Sequence, residues 1–214
     1  MPRFIQRLYP ERIWAFPAST NSVYLTFDDG PIPEVTPWVL DELKKYNAKA
    51  TFFCIGENVK KHPEIFQRIL TEGHSVGNHT FNHLNGAKTE TLAYIENVER
   101  CHEAINSKFK IQNSKLFRPP YGKITSKQAK ILQQKGFKIV MWDIISYDYD
   151  ANVSEEKCLQ NVLKNINTGS VIVFHDSLKA EKNLRYVLPK VLGFVGEKGL
   201  LCKSIDHKSY LTSC

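Results

Sequence analysis

The feature that most constrains the fold of this chain is a repeated alternation of short apolar runs with longer amphipathic segments. The apolar runs are rich in β-branched and aromatic residues, and most are followed by a segment with helical periodicity. About seven such strand–helix units follow one another. Alternation of this kind predicts a parallel sheet covered by helices, either closed as a (β/α) barrel or open and doubly wound.

The individual elements follow from apolar periodicity and from the glycines and prolines that end each run. Strands are predicted over 23–27, 49–55, 115–117, 137–143, 170–174 and 200–205, and helices over 35–46, between Pro63 and Gly73, and over 89–106, 125–135, 154–166 and 183–197. No linker or low-complexity segment is visible, and 214 residues suit one core. We therefore expect a single domain over residues 21–214, preceded by a short lead over residues 1–20.

The lead is predicted to begin with a short amphipathic helix that Pro10 ends. Its apolar residues lie on one helical face: Phe4, Ile5, Leu8 and Tyr9. We expect this face to pack on the domain, because burial against a core is the common fate of one or two apolar turns. Attachment to a membrane surface is the alternative.

Composition argues against several classes of protein. The formal charge is +7, but the basic residues are scattered, so no nucleic-acid partner is expected. No segment approaches the roughly 20 apolar residues of a membrane span, and the first residues lack the apolar core of a signal peptide. We therefore expect a cytoplasmic protein without an integral membrane segment, and a monomer is favoured. The five cysteines form no C-x-x-C pair, which favours reduced thiols over a disulfide framework or a thiolate zinc site.

Two adjacent carboxylates stand where the first predicted strand ends. Asp28 and Asp29 follow the run 23–27, and Gly30-Pro31 forces a turn directly afterwards. Neighbouring side chains at a strand end point in different directions, so one carboxylate can bind a cation while the other handles a proton. For this stretch taken alone, an ordinary turn is the alternative interpretation.

Two histidines form a second cluster of reactive side chains. His79 and His83 are four residues apart, and on a helical turn both imidazoles would lie on one face and share a cation. In the zinc protease pattern with this spacing a glutamate follows the first histidine, whereas Thr80 stands there in this chain. A third ligand and a proton acceptor must then come from elsewhere, and Asp28 and Asp29 offer one carboxylate for each role.

Further polar side chains follow the later predicted strands, and their positions favour the barrel. They are Arg118, Tyr121, Asp143, Asp148, Tyr149 and His175. Two prolines and Gly122 make the loop after Arg118 rigid, which suits the positioning of a reactive group. Loops that follow barrel strands gather at one face, where groups from several units can meet. The absence of G-x-G-x-x-G after the first strand counts against a dinucleotide-binding fold.

The reactive residues fall into five short motifs. These are Thr26-Phe27-Asp28-Asp29-Gly30-Pro31, His79-Thr80-Phe81-Asn82-His83, Arg118-Pro119-Pro120-Tyr121, Asp148-Tyr149 and Val173-Phe174-His175. In order and spacing the set, which spans residues 23–176, resembles the motifs of the polysaccharide deacetylase family (carbohydrate esterase family 4, the NodB-homology domain). The resemblance implies a distorted (β/α) barrel of about seven units. Tyr149 stands where Trp is usual and Val173 where Leu is usual. Both changes keep bulk and apolarity, so they bear on substrate preference more than on catalysis.

Matched position by position, the resemblance implies a metal-dependent hydrolase that removes N- or O-acetyl groups from sugars. Asp29, His79 and His83 correspond to the metal ligands. The ion implied is zinc, and the same donor set can hold cobalt, nickel or iron. Asp28 corresponds to the general base, which Arg118 orients.

The resemblance also implies an acid and a substrate surface. His175 corresponds to the general acid and Asp148 to the residue that tunes it. The backbone N–H of Tyr121 corresponds to part of the oxyanion hole. Pro120, Tyr121 and Tyr149 correspond to residues that contact the substrate.

The implied substrate is an acetylated carbohydrate such as chitooligosaccharide or peptidoglycan. One alternative is a deformylase or another amidohydrolase acting on a modified sugar, which the expected cytoplasmic location keeps open because peptidoglycan and chitin lie outside the cytoplasm. Another alternative is a carbohydrate-binding pseudoenzyme that keeps the barrel without turnover. The presence of a suitable residue at every catalytic position counts against a pseudoenzyme.

Overall fold

The computed structural model describes residues 3–106 and 115–205. Residues 1–2 of the lead and residues 206–214 of the predicted domain, with Cys214, lie outside the described residues. The strands are β1 (Ser22–Asp28), β2 (Ala50–Cys54), β3 (Ser75–Asn78), β4 (Leu116–Phe117), β5 (Lys138–Ile139), β6 (Ile144–Ile145), β7 (Val171–His175) and β8 (Leu201–Cys202). The helices are α1 (Arg3–Leu8), α2 (Thr36–Lys45), α3 (Gly56–Lys61), α4 (Pro63–Thr71), α5 (Thr91–Asn106), α6 (Ser126–Gln134), α7 (Glu155–Leu163) and α8 (Glu181–Glu197).

The sheet is parallel, and β1 pairs with three other strands, β2, β7 and β8. The strand order is β5-β4-β3-β2-β1-β7-β6, and β8 adds to the first residues of β1, Ser22 and Val23. Most connections between neighbouring strands contain a helix, as parallel pairing requires. The curled sheet with helices outside it confirms the predicted distorted (β/α) barrel.

The side chains of β1 alternate between the two faces of the sheet. Val23, Leu25 and Phe27 belong to the apolar cluster that the sheet shares with helices such as α2 and α8. Tyr24 instead packs with a second apolar cluster, which includes Phe53, Val171 and Val173 of the neighbouring strands. All seven residues of β1 are buried, as expected for a parallel strand covered on both faces. Because the alternation continues to the last residue, Asp28 lies on the inner face at the carboxyl end of the strand.

The N-terminal segment contributes to the barrel wall. Ile13 forms a bridge with Val140, and Ala15 forms one with Ser170, so this segment reaches from the end of β5 to the start of β7. The apolar face predicted for the lead is only partly buried. Ile5 and, beyond helix α1, Tyr9 are partly buried against the second apolar cluster, but Phe4 and Leu8 are each 65% exposed.

The predicted strand over 137–143 is wrong in its length. Within this segment the structure has only the short strand β5, and the chain then leaves the sheet before β6 begins at Ile144. The reason is that the backbone here bonds elsewhere: Met141 N–H donates to the Ile13 carbonyl at 2.7 Å, and the carbonyls of Val140 and Met141 accept from the Arg118 side chain. The short helix α3 was not predicted, because Gly56 was interpreted only as the end of a strand.

Two general findings concern the described residues. No helix among them combines the length and the apolar character needed to cross a membrane. Their four cysteines, Cys54, Cys101, Cys158 and Cys202, are all free thiols.

Candidate active site

A cavity of about 470 Å³ opens where β1 and β7 end. Its wall includes most of the reactive residues that the sequence indicated: Asp28, Asp29, His79, His83, Tyr121, Tyr149 and His175. Arg118 and Asp148 lie behind this wall, where Arg118 contacts Asp28 and Asp148 contacts His175. The fold therefore gathers at one face side chains that lie far apart in the sequence.

Asp29, His79 and His83 place one oxygen and two nitrogens around a common point. Asp29 Oδ1 lies 3.7 Å from His79 Nε2 and 3.3 Å from His83 Nε2. One candidate ligand atom from each residue can be chosen so that all three lie within 4.8 Å of one another. Ligand atoms held at about 2.0–2.2 Å from a tetrahedral zinc ion are roughly 3.4 Å apart. The spacing therefore fits a single divalent ion.

The protonation of His79 supports this fit. Its Nδ1 lies 2.8 Å from the carbonyl oxygen of Arg118, which can only accept, so Nδ1 carries the proton and Nε2 presents a lone pair. Burial lowers the pKa of His79 to about 4, so the ring is neutral near pH 7. Asp29 Oδ1 is buried and has no hydrogen-bond partner among the described residues. His79 Nε2 and Asp29 Oδ1 are thus two acceptors that face each other, and a cation between them would bind both.

The carboxylate of this group stays ionised. Burial by itself would raise the pKa of Asp29. The contact with His83 and the nearby charge of His175 are the largest effects that oppose burial, and the pKa of Asp29 lies well below its usual value. An anionic carboxylate beside neutral His79 is the form in which these side chains bind metal ions.

The two histidines do not lie on a helical turn, so that prediction is wrong. The segment from His79 to His83 is an irregular turn, in which Thr80 has φ 64° and His83 has φ 60°. Thr80 N–H donates to Asn78 Oδ1 at 2.9 Å, which replaces a helical backbone bond. Asp29 also has a positive φ of 86°. Left-handed backbone at such residues costs on the order of 1–3 kcal/mol and is typical of functional sites.

Asp28 and Arg118 form a buried ion pair next to this group. Arg118 Nη1 donates to Asp28 Oδ1 at 2.8 Å and to Thr26 Oγ1 at 2.7 Å. Its Nη2 and Nε donate to the carbonyls of Met141 and Val140 at 2.9 and 3.2 Å. Burial lowers the pKa of Arg118, and the Asp28 carboxylate opposes that effect. Arg118 thus holds Asp28 by one oxygen, and Asp28 Oδ2 takes no part in these bonds.

His175 and Asp148 form a second pair. Asp148 Oδ1 accepts from His175 Nδ1, and Asp148 Oδ2 accepts from the backbone N–H of His175, each at 2.8 Å. The ring proton that is free to act is therefore the one on Nε2. Burial alone would lower the pKa of His175, but Asp148, with the charges of Asp28 and Asp29, raises it to about 9. The ring of Tyr149 packs edge-on at 4.8 Å from that of His175.

Tyr121 lies in the 3-10 turn Pro120–Gly122 with a left-handed φ of 59°. Its backbone N–H donates to none of the described residues, so it is free to bind a substrate oxygen. Its hydroxyl lies 3.1 Å from His83 Nδ1. Pro120, which was expected to contact the substrate, is buried in this turn, and its neighbour Pro119 lines the cavity.

Asp143 does not belong to the site, although the sequence grouped it with the reactive residues. Its carboxylate accepts from Val171 N–H at 2.8 Å and from Ser170 Oγ at 2.9 Å. These partners lie at the start of β7, whereas His175 ends that strand. Because β5 ends at Ile139, Asp143 does not end that strand. It directly precedes β6 and therefore lies at the far end of the sheet.

Some residues that support the site were not identified from the sequence. Asn58 Nδ2 donates to the Asp29 carbonyl at 2.8 Å. Asp176 is fully buried and accepts from Gly30 N–H at 3.0 Å. Burial raises the pKa of Asp176 to about 8. The position of Asp176 directly after His175 was the one signal in the sequence. Nothing in the local pattern marks Asn58.

Comparison with known proteins agrees with the fold and with the family that the motifs resemble. A family model described as polysaccharide deacetylase matches residues 17–140. A peptidoglycan-N-acetylglucosamine deacetylase of Bacillus cereus is 43% identical over 161 residues, which are 75% of this chain and 58% of that protein. A chitooligosaccharide deacetylase of Azorhizobium caulinodans is 36% identical over 73% of this chain and 74% of that protein.

A solved structure extends the similarity to almost the whole chain. It is the Bc1960 peptidoglycan N-acetylglucosamine deacetylase in complex with 4-naphthalen-1-yl-N-oxidanyl-benzamide, with a TM-score of 0.87 and 36% identity over 94% of each chain. A barrel with these motifs at its carboxyl face thus defines the class of protein. The chain belongs to the polysaccharide deacetylase family, as the five motifs indicated.

Proposed function

We propose that this protein is a metal-dependent hydrolase that removes N-acetyl groups from a polysaccharide or oligosaccharide. The observation that carries the proposal is the shared cavity. It holds a candidate metal-binding group, a carboxylate and a protonated histidine, and these are the three functions that amide hydrolysis requires.

Asp29, His79 and His83 would hold the metal ion. Zinc is the ion proposed, because one carboxylate with two imidazoles suits it, and cobalt, nickel or iron fit the same donors. When bound, a divalent ion lowers the pKa of water and polarises a carbonyl oxygen. The donor set supports this choice through the neutral ring of His79 and the unpartnered oxygen of Asp29.

The remaining steps belong to the side chains of the chain itself. Asp28 Oδ2 accepts a proton from the attacking water while Oδ1 stays bonded to Arg118. The free N–H of Tyr121 donates to the oxygen that becomes negatively charged. His175 Nε2 then gives its proton to the amine nitrogen as the C–N bond breaks, so acetate and a free amino sugar leave.

Relatives support a sugar substrate. Two of them carry the names peptidoglycan-N-acetylglucosamine deacetylase and chitooligosaccharide deacetylase, so both polymers are candidates here. The chain spans 58% of the first of these proteins, and the substrate is therefore part of the proposal. Tyr149 lines the cavity and offers an aromatic face of the kind that packs on sugars.

Acetate release from a panel of substrates tests the proposal. Chitooligosaccharides, peptidoglycan fragments and acetylated xylan would be compared with the zinc-loaded enzyme, with a chelator-treated sample and with that sample after zinc is restored. We expect release from at least one N-acetylated substrate that chelation abolishes and zinc restores. Binding without release from any substrate would point to the pseudoenzyme, and release of formate from a formylated sugar would point to the deformylase.

A further inference from the structure

Asp176 is a buried carboxylate that the proposed chemistry does not use. It follows His175 at the end of β7 and is fully buried. Its Oδ1 accepts from Gly30 N–H at 3.0 Å, and its Oδ2 accepts from Thr36 Oγ1 at 2.6 Å. Gly30 lies in the connection between β1 and α2, which starts at Asp29, and Thr36 is the first residue of α2.

The contact with Gly30 is close. A side-chain carbon added to Gly30 would come within 2.0 Å of Asp176 Oδ2, so the carboxylate packs directly on the Gly30 backbone. Thr36 Oγ1 also accepts from Ile32 N–H at 2.8 Å, which ties a second point of the connection to the same network. Asp176 N–H donates to the Asp28 carbonyl at 3.1 Å, so the backbone of Asp176 is itself held in place.

These bonds surround Asp29, whose backbone needs support. Its φ of 86° is unfavourable for a residue other than glycine. Asn58 holds its carbonyl on one side, and Asp176 holds the N–H of the next residue, Gly30, on the other. Without the Asp176 bond only Asn58 holds the peptide between Asp29 and Gly30, and rotation of this peptide toward a relaxed conformation would turn the Asp29 carboxylate away from His83.

We propose that Asp176 is a positioning residue that keeps the Asp29 carboxylate facing His79 and His83, and so sets the affinity of the site for its metal ion. The inference rests on the metal site of the proposed function. Asp176 is not among the residues that line the cavity. It acts through the backbone of Gly30, as partners of ligand-bearing segments commonly do.

Zinc affinity of matched variants tests this role. The dissociation constant would be measured by competition with a chromophoric chelator for the wild type, Asp176→Ala and Asp176→Asn. We expect Asp176→Ala to weaken zinc binding by about 10–100-fold. Asp176→Asn keeps an acceptor for Gly30 N–H and a polar group for Thr36, so we expect a loss of less than about threefold.

A control variant separates positioning from general stability. Asp143 also accepts two hydrogen bonds, from Ser170 and Val171, but at the far end of β7. Asp143→Ala should lower the unfolding temperature of the metal-free protein and leave zinc affinity at the wild-type value. Asp176→Ala should change both quantities.

Several outcomes would overturn the inference. One is a folded Asp176→Ala protein that binds zinc as the wild type does, and another is an equal loss of affinity in Asp176→Asn and Asp176→Ala. If Asp176→Ala does not fold, Thr36→Val decides, because it removes the hydrogen bond that keeps the Asp176 carboxylate oriented toward Gly30 N–H, and unchanged zinc affinity in that variant counts against the role. A wild type that binds no zinc is a separate result, since it overturns the proposed function itself.

Discussion

Asp28 and His175 are register partners on the neighbouring parallel strands β1 and β7. Side chains at paired positions of adjacent parallel strands point to the same face of the sheet, so both reach the same cavity. Under the proposed function, one accepts the proton of water and the other protonates the leaving amine. The spacing of base and acid is therefore set by sheet register and not by loop conformation.

The first prediction separates the adjacent carboxylates. Asp28→Asn should retain zinc and lose about 10²–10⁴-fold in rate, because an amide cannot accept the proton. Asp29→Asn should bind zinc more weakly, because a neutral amide replaces the anionic ligand. Zinc stoichiometry and acetate release, measured on both variants, provide the test. A metal-free Asp28→Asn protein beside a metal-bound Asp29→Asn protein would show that the two roles are reversed.

The second prediction concerns the leaving group. His175→Ala should slow the hydrolysis of N-acetyl substrates much more than that of an activated acetyl ester, because the ester's leaving group needs no proton. The ratio of kcat/KM for the two substrates is the quantity to measure. Equal losses on both would contradict the assignment of His175 as the acid.

The third prediction is a pH dependence. The pKa of His175 is raised to about 9, so the ring is protonated at neutral pH and loses its proton as the pH rises through that value. The alkaline limb of kcat/KM should therefore lie near pH 9, or lower when a bound cation adds positive charge nearby. Asp148→Asn removes the charge that raises this pKa and should move the limb to lower pH by roughly 1–3 pH units. A limb that stays at the same pH would show that another group controls it.

The fourth prediction concerns stability. Arg118→Ala leaves Asp28 buried without its cation and two carbonyls without their donor, so we expect a loss of about 3–5 kcal/mol in the free energy of unfolding. Urea denaturation of the metal-free proteins measures this loss. The exposed pair of Lys135 and Glu99 provides the control, because Lys135→Ala should change stability by less than about 1 kcal/mol. Similar effects of the two variants would mean that the buried pair contributes little.

Much of the fold could be predicted from local pattern. The helices over Thr36–Lys45, Thr91–Asn106 and Glu181–Glu197 begin and end within about two residues of the predicted bounds, because apolar periodicity and glycine stops are properties of neighbouring residues. The structure of the segment 137–143 could not be predicted from local pattern. Its residues have the composition of a strand, but Ile13 and Arg118 take the backbone bonds that a longer strand would need.

The candidate site was likewise predicted in part from the sequence and decided in part by tertiary contacts. The sequence alone determined which groups are present, namely an Asp pair after a strand, two histidines four apart and a rigid loop after Arg118, and their order identified the family. Tertiary structure decided which of them meet. It placed Asp143 at the far end of β7 and Pro119 at the cavity wall, joined the histidines through an irregular turn and placed Asp176 against Gly30. The physical reason is that periodicity and turn chemistry act between neighbours, whereas these contacts join residues that only the packing of distant strands brings together.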